Sequence, residues 1–400
     1  MTSLTHTTLL RFECARCGSP VEGPSPRTVA PCCQAPLLAC YDLPAAAAAL
    51  PAPGSAGPRG VWRYRAVLPL ATGERPVTLG EGGAPLLPLP RMGEALGIRD
   101  LHVKMEAANP TGSFKDRGMS VAVSLAAAAG VPGIVLPTAG NAGASAAAYG
   151  ARAGLPVSIH APRETPREIL AEIRFRGAGL TLHEGTIADA GAAARAEAQA
   201  NGFLDVATFK EPGRLEGKKT MAYELREDLG RLPDSIVYPC GGGTGIVAMA
   251  KAFREMAELG WTRGEKPKLW AVQAEACAPI VTAFEDGRDE AAPVTAASTV
   301  AAGLRVPSPF AHREILDALR ETRGGAVAVS EAEIREAGPR LARTEGILPC
   351  PEGAAAWAGL AKLLAAGRIQ TGETVVVFET ATGLKYLDAW DGPGSSDEVG

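Results

Sequence analysis

The 400-residue sequence is poor in lysine, in aromatic residues and in net charge. Ten of its forty basic residues are lysine, and the first of them is Lys104. Arginine supplies the rest, a bias that genome composition explains without invoking function. The scarcity makes a lysine inside a glycine-rich motif conspicuous. The net charge of −4 lacks the basic excess of a polyanion-binding protein, so no nucleic-acid partner is expected. Hydrophobic and charged fractions of 46% and 21% are those of ordinary globular proteins, which excludes disorder over most of the chain. The opening residues lack a basic segment followed by an apolar run. No secretory leader is therefore expected, and the cytoplasm is. Long apolar runs are missing too. Residues 119–137 come nearest, but they are mostly alanine and are broken by Gly130, Pro132 and Gly133. A helix, a turn and a buried strand fit them better than a membrane span, so no membrane partner is expected.

Cysteine is present and unevenly placed. Five of the eight cysteines fall within the first 40 residues. In a large cytosolic chain this points to metal before disulfides. Cys14-x-x-Cys17-Gly18 has the form of a zinc knuckle. A second pair is expected about 15 residues later. Cys32 and Cys33 stand there, with Ala30 where a regular pair would put cysteine. Cys14, Cys17 and Cys33 are candidate ligands, with Cys32 or Cys40 as a strained fourth. The functional reading is a structural zinc ribbon; the plainer one is a ribbon that has lost its metal.

The length fits two domains with an appendage. Residues 1–43 form the ribbon-like unit. Residues 44–60 read as a linker, opening a 44–100 segment that leads into the larger domain. Apolar runs at 101–104, 133–137, 157–161, 180–183, 235–238, 268–274 and 374–378 read as strands. Helical patterns at 114–129, 142–153, 166–175, 188–201 and 246–259 separate many of them. This alternation predicts an α/β fold with helices on both faces of parallel sheets. The expected units are a small domain at 101–205, a large one at 206–390 and a flexible tail at 391–400. Sites in such folds lie at the carboxyl ends of strands.

Four motifs stand at or near such ends. At 109–118, N-P-T-G-S-F-K-D-R-G puts Lys115 in the first turn of a helix. There the helix dipole disfavours a positive charge and favours a nucleophilic amine; the plainer reading is an exposed lysine near a cap. At 137–143, P-T-A-G-N-A-G offers backbone N–H groups and the Asn141 amide to an anion, or tight packing alone. At 239–246, P-C-G-G-G-T-G-I suits a single phosphate, because its glycine spacing is wrong for a dinucleotide. At 378–386, F-E-T-A-T-G-L-K-Y ends a strand with hydroxyls and a glycine. The segment at 213–220, G-R-L-E-G-K-K-T, has one residue too few for a P-loop, which excludes ATP binding there.

Together these segments resemble the threonine synthase family of fold type II pyridoxal-phosphate enzymes, whose architecture is that of the tryptophan synthase β chain. P-T-G-S-F-K-D-R-G-M at 110–119, T-L-G-E-G-G-A-P-L at 78–86 and R-L-E-G-K-K-T at 214–220 carry the resemblance. It implies that Lys115 forms the Schiff base with pyridoxal phosphate and later shuttles protons. It implies that Asn141 meets the cofactor's 3′-oxygen, and that Gly241, Gly242, Gly243, Thr244 and Gly245 cradle its phosphate. Thr380 would face the pyridine nitrogen. Ser113, Thr138, Ala139 and Gly140 become substrate contacts, with Lys104 and Arg214 as candidates for a substrate anion. The implied partner is a small amino acid, and the implied assembly a homodimer. The implied reaction turns O-phosphohomoserine and water into threonine and phosphate.

The sequence also departs from the family. F-K-E-P-G at 209–213 replaces a segment reading S-x-N-P and introduces an acid and a base. Ala381 and Thr382 replace a glycine and a small residue. At 345–354, E-G-I-L-P-C-P-E-G-A alters the familiar P-A-S-A-A. These changes keep a second chemistry open: β-elimination or β-replacement on a related, phosphorylated or serine-like amino acid. A non-enzymatic ribbon protein and a nucleotide-dependent oxidoreductase rank behind both.

Overall fold

Runs of β-branched residues form the strands, and alanine-rich segments form many of the helices between them. A computed structural model describes residues 7–22, 28–264, 266–295 and 297–390, and in it they build three sheets. The first is a small antiparallel sheet of β1 (Leu9–Cys14), β2 (Pro20–Val21) and β3 (Leu37–Tyr41). The chain next lays down β4 (Leu86–Pro88) and β5 (Asp100–Met105). It then makes a separate parallel sheet of β6 (Ile134–Pro137), β7 (Val157–Pro162), β8 (Gly179–His183) and β9 (Leu204–Asp205), in the order β8-β7-β6-β9. It returns with β10 (Ser235–Pro239), β11 (Lys268–Ala274), β12 (Gly325–Val329) and β13 (Thr374–Glu379). These join the earlier pair in the order β12-β11-β10-β13-β5-β4, with only the β4 edge antiparallel.

The strands of the six-stranded sheet are buried on both faces. Ile236, Leu269, Val376 and Phe378 pack in one core with the helices Gly213–Leu229 and Thr244–Glu258. Their neighbours Val237, Val272, Val375 and Val377 pack in another with the helix Pro351–Ala365. This is the two-residue alternation of a strand applied to a sheet with no wet face. The smaller sheet packs Ile134, Leu136 and Ile159 against the helices Lys115–Ala128 and Asn141–Ala153.

Two expected boundaries need correction. The small domain does not begin at residue 101, because β5 belongs to the six-stranded sheet. It pairs with β13 from Asp100–Thr374 to Met105–Glu379. Apolar periodicity identifies a strand but not a partner some 270 residues away. Part of the 44–60 linker is folded as well: Leu43–Ala49 is a helix whose Asp42 side chain accepts from the Ala45 amide at 3.0 Å. Alanine's helix propensity and a proline in the first turn account for it. The tail at 391–400 lies outside the described residues.

The three-stranded unit is docked rather than free. On β3, the Ala39 amide and the Tyr41 hydroxyl donate to Glu216 at 3.3 and 2.9 Å. The ammonium groups of Lys219 and Lys251 stand 4.1 and 4.9 Å from the centre of the Tyr41 ring. Among the described residues, no helix is long and apolar enough to cross a membrane.

Candidate active site

Lys115 is the first residue of its helix, and no side chain caps that end. The turn before it is fixed from several directions. The buried Asp116 carboxylate accepts from the Thr111 amide, the Thr111 hydroxyl and the Ser145 hydroxyl, each at 2.6 Å. Arg117 is clamped between Glu106 and Glu224, with four contacts of 2.7 Å. The turn is also sewn to the end of β13: the Phe114 amide donates to the Thr380 carbonyl at 3.0 Å, and the Thr382 amide to the Gly112 carbonyl at 2.9 Å. Motifs some 265 residues apart in sequence therefore meet.

A cleft of about 430 Å³ opens between the two parallel sheets. Lys115 lines it, with Thr138, Ala139, Gly140 and Asn141 from the end of β6. Gly241, Gly242, Gly243, Thr244 and Gly245 line it from the end of β10, and Thr380 from the end of β13. Arg214 completes the group. The helices Asn141–Ala153 and Thr244–Glu258 both point amino ends at this space; their N-cap residues, Gly140 and Gly243, supply no side-chain cap, and in the first helix the Gly143 amide donates to the Thr138 hydroxyl at 3.3 Å. Unpaired N–H groups at helix starts are ready anion donors. Glycine is required at 241, where a Cβ would lie 2.1 Å from the Gly303 carbonyl oxygen, and suits 243, where φ is +75°. The Thr138 hydroxyl braces its own loop by donating to the Gly140 carbonyl at 2.9 Å and accepting from the Gly140 amide at 3.1 Å.

Electrostatics set the amine apart. Burial first, and the charge of Arg214 second, push Lys115 down from 10.5 to about 7. The amine is thus available as a base or nucleophile near neutral pH. Arg214 is itself buried. It spends one nitrogen on the Val206 carbonyl at 2.8 Å and leaves Nε without a partner.

A glycine cradle too tight for a Cβ, two helix starts with glycine at the N-cap, a hydroxyl at Thr380 and an amine held near neutrality suit an aldehyde cofactor that carries a phosphate. Comparison with known proteins agrees. Residues 77–380 match the pyridoxal-phosphate dependent enzyme family. The threonine synthase of Methanosarcina acetivorans is 39% identical over 327 residues, 81% of this chain and 80% of that protein. The chain belongs to the threonine synthase family of pyridoxal-phosphate-dependent enzymes. The threonine synthase of Methanocaldococcus jannaschii is also 39% identical, over 82% of each chain. That of Mycobacterium tuberculosis is 36% identical over 81% of this chain and 88% of its own. Solved structures share the fold. A fungal L-serine ammonia-lyase from Rhizomucor miehei has a TM-score of 0.65 at 22% identity, covering 77% of this chain and 96% of that one. Maize serine racemase has a TM-score of 0.65 at 19% identity, covering 75% and 88%.

Within this threonine synthase-like cleft, two sequence expectations fail geometrically. Lys104 does not line it. Its ammonium is fully buried and donates to the Ala84 carbonyl at 2.7 Å, with Glu224 at 3.0 Å and Asp228 at 2.9 Å. A cation neutralised by two acids has nothing left for a substrate anion. The Ser113 hydroxyl is buried without a hydrogen-bond partner, and the residue does not line the cleft either. The altered 209–213 segment also behaves otherwise than its composition implies. Glu211 turns back to accept from the Gly213 and Arg214 amides at 2.6 and 2.8 Å, capping the helix that carries Arg214. Lys210 lies 3.7 Å from the centre of the Phe310 ring.

The acid in the cleft is instead Glu352, which accepts from the Gly303 amide at 2.7 Å. Its signal was present in the altered 345–354 segment. Tyr386 also lines the cleft and accepts from Asn141 Nδ2 at 2.7 Å. Arg195 and Arg305 line it as well, and an arginine-rich sequence gives neither away.

At the other end of the chain, the thiols of Cys14, Cys17, Cys32 and Cys33 all lie within 4.8 Å of one another. Cys40 is not among them; it sits on β3 beside Glu13, and burial pushes its thiol up to about 12.

Proposed function

We propose that this enzyme converts O-phosphohomoserine and water to L-threonine and phosphate. The observation that carries the reading is Lys115, near neutrality, sharing a cleft with the buried and under-bonded Arg214. Pyridoxal phosphate, when bound, takes up the negative charge that proton loss leaves on the substrate carbon. The residues to hold it are Gly241, Gly242, Gly243, Thr244 and Gly245 at its phosphate, Asn141 at its ring oxygen and Thr380 at its ring nitrogen. Thr380 has a hydroxyl rather than a carboxylate, so it need not keep that nitrogen protonated. Lys115 accepts the proton from the α-carbon; loss of a β-proton then supplies the electron pair that expels the γ-phosphate, a proton is added at the γ-carbon, and water adds its hydroxyl at the β-carbon as the lysine amine returns a proton to the α-carbon. Thr138, Ala139 and Gly140 hold the substrate carboxylate at a helix start. Arg214 holds the γ-phosphate and stabilises it as it departs, because a guanidinium matches phosphate geometry.

One observation favours a second reading. The carboxylate of Glu352 in the cleft would oppose a phosphorylated side chain, which keeps β-elimination or β-replacement on a serine-like substrate in play. Steady-state assay of O-phosphohomoserine against serine and threonine separates the two. Phosphate release from the first supports the proposal; turnover of serine alone sinks it. Loss of visible cofactor absorbance in a folded Lys115→Ala variant tests the cofactor assignment separately.

We also infer a structural zinc on Cys14, Cys17, Cys32 and Cys33. Thiolates about 2.3 Å from a tetrahedral zinc stand roughly 3.8 Å apart, and Cys17 and Cys32 are 3.6 Å apart. A cytoplasmic homodimer completes the reading. None of the eight cysteines is in a disulfide, which fits a reducing compartment. Leu384 and Leu387 flank Tyr386 as exposed apolar side chains that a second subunit could cover.

A further inference from the structure

At the amino ends of β10, β11 and β13, opposite the ends that carry the cleft, lies a cavity of about 800 Å³. Six cations line it: Arg226, Arg231, Arg263, Lys266, Lys268 and Arg323. Among the described residues, Asp234 and Glu373 are the acids of the lining, and both are engaged. Glu373 accepts from Lys268 at 2.8 Å, from the Ser235 hydroxyl at 2.5 Å and from the Gln370 amide at 3.1 Å. Asp234 accepts from the Thr374 amide at 2.8 Å. Lys266 is paired outside the lining, with Glu321 at 2.5 Å. The Arg231 side chain is 56% exposed; it donates to the Thr374 hydroxyl and to the Leu232 carbonyl at 3.2 Å, while its nearest acids, Asp234 and Asp100, stand 3.8 and 3.9 Å away. Arg226 donates to the Trp261 carbonyl at 3.1 Å and, among the described residues, forms no ion pair. Arg323 likewise forms no ion pair among the described residues. The Thr262 hydroxyl, also in the lining, is enclosed without a hydrogen-bond partner.

The backbone adds an independent sign. Arg323 follows the helix His312–Glu321 with φ at +54°, a conformation that favours glycine. Its amide donates to the Arg320 carbonyl at 3.0 Å, and the next amide, of Gly324, to the Leu319 carbonyl at 2.9 Å. Glycine would close this helix without strain. An exposed arginine is present instead, and its side chain borders the cavity. Backbone strain of this kind often marks a residue needed for its side chain.

We propose that this cavity binds a small, multiply charged anion of the phosphate-ester class. Several guanidinium groups around one space suit an oxyanion with two or more charges. The volume is that of an ordinary small-molecule site. The cavity shares no lining residue with the cleft, so the site is distinct from the one assigned to substrate and cofactor.

Titration calorimetry of the cofactor-loaded enzyme with inorganic pyrophosphate, at matched ionic strength, tests this. The wild type should bind saturably, and the Arg214→Ala variant should keep a saturable site. Arg323→Gly should weaken binding roughly tenfold, the loss of one charge-assisted contact. Arg231→Gln should do the same. Arg323→Gly should also leave the melting temperature unlowered, since glycine is at ease at that φ. The proposal is overturned by absence of saturable binding, by its complete loss in Arg214→Ala, or by unchanged affinity in Arg323→Gly.

Discussion

The guanidinium of Arg214 and the amine of Lys115 line the same cleft, and the charge of the first adds to burial in holding the second near 7. In the proposed function one residue therefore serves two ends: it would attract an anion, and it favours the neutral form of its neighbour. Replacing Arg214 by alanine should move the lysine upward, toward its ordinary 10.5. The pH dependence of pyridoxal-phosphate capture by the apoenzyme reads this directly. The wild type should show a midpoint near 7, and the variant a higher one. KM for a phosphorylated substrate should rise roughly tenfold or more, with little change for one lacking phosphate.

The helices that carry these two residues cross at closest approach through glycine. A Cβ on Gly217 would lie 2.0 Å from the Arg117 carbonyl oxygen. Gly217→Ala must push the helices Lys115–Ala128 and Gly213–Leu229 apart. Overpacking of this kind costs about 1–3 kcal/mol. Chemical denaturation should show that loss, together with weaker cofactor retention. A variant as stable as the wild type would refute the crossing.

Glu379 gives stability a pH dependence of predictable sign. Burial pushes its carboxyl from 4.5 up to about 8, and only one of its oxygens is partnered, by the Cys350 amide at 2.8 Å. The folded state favours the protonated form more than the unfolded state does. Its contribution is therefore fully present below about pH 4.5 and is lost as the pH rises through 8, at about 1.4 kcal/mol per pH unit. Glu379→Gln should remove this loss. Urea unfolding at pH 5, 7 and 9 should show the wild type falling increasingly behind the variant. Asp116 and Glu211, raised to about 6 and about 7 by burial, drift the same way in both proteins and cancel in the comparison.

The thiol geometry separates Cys32 from Cys40 as fourth ligand. Elemental analysis should find one zinc per chain. Cys33→Ser and Cys32→Ser should lower that content, and Cys40→Ser should leave it intact. Retention of full zinc in Cys32→Ser would move the site elsewhere.

Local patterns carried much of the fold and the core of the site into view. Lys115, the 138–141 loop, the glycine loop and Thr380 each lie in a stretch of small residues or hydroxyls at a strand or helix end, and local rules read such stretches well. Lys104 was illegible because its neutralising partners, Glu224 and Asp228, come from a helix more than a hundred residues later. The membership of β5 in the six-stranded sheet was hidden for the same reason. Glu211 stood out as an added acid, but composition does not show which way a side chain turns; two backbone amides claim it. Glu352 was visible as a departure, but its place on the cleft wall depends on how the helix Pro351–Ala365 packs.

The most direct measurement is product analysis of purified, cofactor-loaded enzyme given O-phosphohomoserine as sole substrate. Threonine and inorganic phosphate should appear in equal amounts, with both lost in Lys115→Ala. Absence of phosphate, with serine consumed in parallel incubations, would contradict the proposed function.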